Sequence, residues 1–252
     1  MRPNLIKFSV LSILLIFLRA HCDGQAEKRI ILKLDDVIAG TDGQVISPRW
    51  QRVSDYLEGK GIKAAFGVIG FSLVKDNPAY FKWITDRADR GLIEFWNHGF
   101  WERTRKDSVG EFERSFDEQL RALRMTDSLA KVKLGLAMPV WGPHWSGTNE
   151  DTDRALSKMP QIRMIMEAPL HPVYFKGIVM TSQISIEHPI HNPDFEAFKN
   201  VYLEKKHELS LFYLQGHPLS WDEERWQNFV KIIEFLESEG VSFIKPSDIL
   251  EK

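Results

Sequence analysis

Short apolar runs alternate with longer amphipathic segments along most of this 252-residue chain. This alternation is the feature that most restricts the fold. Strands followed each time by a helix pair in parallel, and a parallel sheet needs both faces covered. Strands are expected at 29–37, 62–69, 92–96, 132–136, 162–166, 179–186 and 209–214, with a closing strand at 241–244. Helix signals stand between them. Ser47-Pro48 reads as an N-cap followed by proline at the first helical position, and Trp50, Val53 and Leu57 then share a face. Asn77-Pro78 opens a second helix. Phe112, Phe116, Leu120 and Leu123 recur at helical spacing. Shorter helices are expected at 150–158 and 194–205. Ser220 and Glu223 form a capping-box pattern ahead of the stripe Trp226, Phe229, Val230, Ile233 and Leu236. No linker or repeat interrupts the pattern, so a single α/β domain with a largely parallel sheet or barrel is expected.

Composition narrows the function classes. Apolar residues make up 43% and charged residues 27% of the chain, which suits a globular protein. A net charge of −2 argues against a nucleic-acid surface. The only cysteine is Cys22, so neither an intrachain disulfide nor a cysteine-rich zinc site can form, and a metal site must use His, Asp and Glu. The N-terminus reads as a secretory signal. Arg2 and Lys7 precede an apolar run at 8–18 that is short for a membrane span, and small residues Ala20 and Ala26 offer cleavage points. Residues 1–26 are therefore expected to be a signal peptide and 27–252 an exported, periplasmic or extracellular domain. Bulky polar neighbours around Cys22 argue against lipidation there.

Polar residues cluster just past the strands. Leu34-Asp35-Asp36 ends the first strand, and Asn97-His98-Gly99 follows the third, with Glu102 four residues beyond His98. Pro139, Trp141 and His144 follow the fourth, and His217 follows the seventh. In a parallel sheet these ends share one rim, where catalytic groups of β/α folds are mounted. Adjacent carboxylates cost Coulomb energy that a bound cation or a shared proton offsets.

These segments, in this order, resemble the polysaccharide deacetylase family, the NodB homology domain of carbohydrate esterases. The resemblance runs from Ile30 to Leu250. It rests on Asp35-Asp36, on the frame from Asn97 to Glu102, on Met138-Pro139-Val140-Trp141-Gly142, and on Leu214-Gln215-Gly216-His217. It implies a distorted (β/α) barrel of about seven parallel strands that hydrolyses N-acetyl, or O-acetyl, groups on the amino sugars of a glycan with a divalent metal, zinc in the first instance. Asp35 would be the general base and His217 the general acid. Asp36, His98 and Glu102 would hold the metal, and the backbone near Trp141 and Pro139 would face the oxyanion.

The chain departs from that pattern in three places. Glu102 stands where a second metal-binding histidine is usual, and His144 is the rival for that role. An Asp/His/Glu set would neutralise a divalent ion and favour a harder one than zinc. Met138 stands where an arginine usually orders the aspartate. An Asp-x-x-Asp-Trp element has no match. Trp101, Trp141 and Trp145 are expected to wall a sugar pocket, with Trp96 and Trp221 in the core. His171, His188, His191 and His207 fall outside the motifs and read as surface residues.

Overall fold

The computed structural model describes residues 27–102, 106–145, 147–166 and 171–251. The segment read as a signal peptide lies outside the described residues. In chain order the elements are β1 (Arg29–Val37), α1 (Pro48–Gly59), β2 (Ala64–Val68), α2 (Pro78–Asp89), β3 (Ile93–Asn97), α3 (Phe116–Leu129), β4 (Val140–Trp141), α4 (Glu150–Leu156), β5 (Met164–Met166), β6 (Ile178–Met180), β7 (Gln183–Ser185), α5 (Phe195–Lys205), β8 (Leu211–Gly216), α6 (Glu223–Ser238), β9 (Ser242–Phe243) and α7 (Ser247–Leu250). All pairings between these strands are parallel. The strand order is β6-β5-β4-β3-β2-β1-β8-β7, with β9 also paired to β1. This is the expected distorted barrel, open between β6 and β7. It has nine strands, because the single run expected at 179–186 is two short strands, β6 and β7.

The helix starts follow from local chemistry. Ser47 accepts from the Arg49 N–H, and Asn77 accepts from the Tyr80 N–H, each just ahead of a proline. α6 begins two residues later than expected. Asp222 is its N-cap and accepts from the Arg225 N–H, while Ser220 belongs to a short turn before it. α1, α2, α5 and α6 pack against the outer face of the sheet, where Trp50, Phe66, Tyr80, Phe198, Phe212 and Phe229 form the main core. The inner face is lined by Ile31, Ala65, Trp96, Val140, Met164 and Tyr213, among others.

One expected strand is absent. Residues 132–136 form no strand: Ala130–Leu134 is a wider final turn of α3, and Gly135 ends it in the left-handed region at φ 68°. Val132 is 74% exposed, so no neighbouring strand covers it. The fourth strand is Val140–Trp141, which moves the rim of the barrel forward to Gly142 and the residues after it. No helix among the described residues is long and apolar enough to cross a membrane.

Candidate metal and catalytic site

β1 delivers both aspartates to the same place, which a regular strand cannot do. Successive side chains of a strand point to opposite faces. Here Asp36 adopts φ 71°, and the pairing of β1 with β2 shifts register between Leu34 and Val37. The kink turns Asp36 onto the rim beside Asp35. The Trp50 indole donates to the Asp36 carbonyl at 3.1 Å and holds the turn. A non-glycine residue in this region is uncommon and marks a strained, specified backbone.

Asp36, His98 and His144 present one ligand atom each within 4.8 Å of one another. Asp36 Oδ1 is 3.4 Å from His98 Nε2 and 3.1 Å from His144 Nδ1. Donors about 2.1 Å from a tetrahedral ion lie about 3.4 Å apart, so the spacing fits a cation between them. His98 is oriented for ligation. Its Nδ1 lies 3.0 Å from the Gly142 carbonyl, an acceptor that calls for the N–H on that nitrogen, and its Nε2 is the nitrogen turned toward Asp36. Asp36 Oδ1 is buried with no hydrogen-bond partner of good geometry, which is costly unless something else satisfies it. Burial alone would raise the Asp36 pKa, but the His144 and His98 imidazoles hold it well below the usual carboxylate range. The site therefore favours an anionic oxygen beside two imidazole nitrogens, a donor set suited to zinc and its neighbours.

Glu102 is not part of this group. It is exposed at the rim of the cleft. The reason lies in the loop after β3. Gly99 turns left-handed at φ 84°, Phe100 is buried, and Glu111 accepts from the Phe100 and Trp101 amides at 2.9 and 3.0 Å. That bend carries Glu102 outward, and His144 supplies the second imidazole.

Asp35 is fully buried. Its Oδ2 accepts from Lys33 Nζ at 2.5 Å and Gln215 Nε2 at 2.8 Å, while Oδ1 has no hydrogen-bond partner. Burial opposes its charge, but Lys33, His98 and His217 outweigh that and lower its pKa. His217 lies across from it, with Nε2 3.9 Å from Asp35 Oδ2. Its other nitrogen, Nδ1, is 2.7 Å from Glu187 Oε2. Burial works against the imidazolium, yet Glu187, Asp35 and Asp36 push the His217 pKa up to about 9.

Glu187 follows β7 and is the main residue that sequence reasoning missed. It accepts from the backbone N–H of His217 and of His191, both at 2.8 Å, and from the Trp221 indole at 2.8 Å. The absent Asp-x-x-Asp-Trp element concealed this carboxylate, although Glu187 ends the expected 179–186 strand much as Asp35 ends the first. Glu187, His191 and His217 also lie close enough to form a ligand group. The Glu187 oxygens are already taken by these four donors, so the group orients His217 instead. His191 is exposed but lines the cleft, 4.5 Å ring to ring from His217, and is more than a remote surface residue.

The cleft encloses about 570 Å³ and is bordered by Asp35, Asp36, His98, His144, Trp145 and His217. Of the expected wall residues, only Trp145 borders it, 53% exposed. Trp141 is buried, with its ring edge-on to Phe112 in the core. The next amide, Gly142 N–H, is bonded to the Asn97 carbonyl. Pro139 lies before β4, where its carbonyl accepts from the Arg163 and Met164 amides, away from the rim. Trp101 stacks beside Phe71 at 5.4 Å, outside the cleft lining. Met138 is buried among outer-core residues, so it does not occupy a place beside Asp35. Trp96 and Trp221 are core residues, as expected.

No family model matches the chain, and no characterised protein matches it in sequence. Solved structures do match. The CE4 domain of a multidomain xylanase from the hindgut metagenome of Trinervitermes trinervoides aligns with TM-score 0.58 and 18% identity, over 89% of this chain and 90% of that one. A family 4 acetyl xylan esterase from Clostridium thermocellum, in complex with a cobalt ion, gives 0.61 and 16%, over 89% and 91%. A CE4 family pseudoenzyme from Bacillus anthracis gives 0.59 and 15%, over 89% and 66%. The open parallel barrel thus has the polysaccharide-deacetylase fold, that of the NodB homology domain seen in these CE4 structures.

Proposed function

We propose that this protein is a metal-dependent hydrolase that removes acetyl groups, N-acetyl foremost, from amino sugars in a glycan. One observation carries the reading. His217 and Asp35 face one another, Nε2 to Oδ2 at 3.9 Å, in a cleft beside the Asp36/His98/His144 group. A shared fold with a pseudoenzyme decides nothing by itself; what supports hydrolysis is the His217–Asp35 pair beside three side chains spaced to hold a cation.

Asp36, His98 and His144 would hold the cation, which would supply Lewis-acid polarisation of the acetyl carbonyl and of the attacking water. Asp35 takes the proton from that water as the new C–O bond forms. His217 donates a proton to the sugar nitrogen as the C–N bond breaks, and Glu187 holds its ring and stabilises its charged form. The products are acetate and a free amine. Trp145 offers an aromatic face for the sugar ring at the mouth of the cleft. Export through residues 1–26 would bring the domain to extracellular or periplasmic glycans.

Acetate release from N-acetylchitohexaose and from acetyl xylan, with zinc or cobalt and after chelation, tests the reading and separates amide from ester hydrolysis. Asp35→Asn is expected to lower kcat by about 10²–10⁴-fold, the usual worth of a general base. Glycan binding without acetate release from either substrate would make the chain a binding module.

A further inference from the structure

The barrel interior contains a lysine directly beneath the proposed base. Lys33 sits on β1 two residues before Asp35, so both side chains share the inward face. Lys33 is fully buried and does not border the cleft, so it has no route to substrate. Its ammonium is 2.5 Å from Asp35 Oδ2 and 5.1 Å from the centre of the Trp96 ring. Neighbouring glycines make space for that ring. A Cβ on Gly67 of β2 would lie 2.6 Å from Trp96, and one on Gly142 would lie 3.1 Å from it.

The second donor to Oδ2 comes from the other side. Gln215 of β8 bonds it at 2.8 Å, Gln183 of β7 bonds the Gln215 carbonyl oxygen at 2.8 Å, and Tyr213 reaches Gln183 at 3.3 Å. Both donors use the same carboxylate oxygen, and Oδ1 has none. A carboxylate torsion is broad and nearly two-fold, so a carboxylate held by one weak partner would exchange its oxygens. A buried ammonium without an anion is strongly disfavoured, and Asp35 supplies Lys33 with one at hydrogen-bond distance.

We propose that Lys33 is a positioning residue that clamps Asp35 through Oδ2 and so fixes its carboxylate at the edge of the cleft. This rests on the deacetylase reading of the site. It also gives the domain a cation beneath its base from β1, where Met138 offers none. Lys33 acts through Asp35 and does not border the cleft.

The test compares the full chain with its Lys33→Met and Lys33→Arg variants, loaded with zinc, on N-acetylchitohexaose. The methionine variant should lose at least 100-fold in kcat, with KM and zinc affinity within threefold of the parent. The arginine variant, which keeps the charge, should retain at least a tenth of the parent kcat. A methionine variant with kcat within threefold of the parent overturns the proposal. So does an arginine variant as inactive as the methionine one, or a loss of zinc affinity parallel to the loss of kcat. A second measurement needs no turnover: the melting temperatures of Lys33→Met, Asp35→Asn and the double variant. The clamp requires the double variant to melt above Lys33→Met alone, because Asp35→Asn removes the buried carboxylate charge that Lys33→Met leaves without its ammonium. Additive losses overturn it. If the parent releases no acetate from any substrate, the deacetylase reading fails, and this thermal cycle judges the clamp separately.

Discussion

At the scale of single residues, the site depends on which atoms are left without partners. Asp36 Oδ1 is left without a hydrogen-bond partner and lies 3.1 Å from His144 Nδ1, whereas Glu102 is exposed at the rim. His144→Ala is therefore expected to weaken zinc binding at least 100-fold in a chelator competition, and Glu102→Ala to change it by less than threefold; the reverse result would return Glu102 to the ligand set. His217 gives a pH prediction. Its pKa is about 9 in the folded chain, above its ordinary value near 6.5, through Glu187, Asp35 and Asp36. The associated stability is complete below pH ~6.5 and is lost as pH rises through about 9. An acid with this pKa should make kcat/KM fall on the alkaline side near pH 9. Glu187→Gln removes the charge that holds the proton, so the fall should move to lower pH; an unmoved alkaline limb would show that His217 is not the acid. Residue types at strand ends were legible from the sequence, and Asp35, Asp36, His98 and His217 do meet in one cleft. The Asp36 partner among Glu102 and His144 was not legible, because a single left-handed glycine and the Glu111 anchor decide where the loop after His98 turns.

At the scale of elements, that loop and the end of α3 carry most of the difference between expectation and structure. Glu111 is buried, and burial outweighs the two amides it accepts, raising its pKa to about 7. Here the folded state binds the proton more tightly than the unfolded chain. Stability from this group therefore falls as pH rises from about 4.5 to about 7, by up to about 3 kcal/mol. Urea unfolding at pH 5 and pH 8 should show this loss in the parent and a smaller one in Glu111→Gln; equal losses would assign the trend to other groups. Gly67 illustrates a second kind of constraint. Alanine there meets the Trp96 ring at 2.6 Å, and overpacking of this kind costs about 1–3 kcal/mol. Gly67→Ala should lower the urea midpoint with an unchanged slope, whereas a neutral substitution would mean that the Trp96 layer yields. Helix starts were legible because Ser47, Asn77 and their prolines act on amides within their own turn. The run at 132–136 was misleading because an apolar pattern of five residues suits a strand and the last turn of a helix equally. Only the absence of a covering neighbour around Val132 separates the two.

At the scale of the whole molecule, the candidate site ties together segments that are remote in the chain. The candidate metal donors come from β1, from just past β3 and from just past β4, and the proposed proton-transfer pair spans the ends of β1 and β8. A cation binding only the folded barrel should stabilise it by RT ln(1 + [L]/Kd), about 4 kcal/mol at 1,000 times Kd. Zinc should therefore raise the melting temperature of the chelated protein, and His144→Ala should abolish the rise; a rise that survives in the variant would place the bound ion elsewhere. The sequence by itself determined the fold class, the parallel connectivity and the chemical character of the rim, because alternation, caps and strand-end polar residues act over a few neighbouring positions. Tertiary structure alone decided that both aspartates share one side of β1, that His144 joins them, that Glu187 holds His217 and that Lys33 lies under Asp35. Each of these depends on where separate strands place their ends in space, and no local pattern encodes that distance.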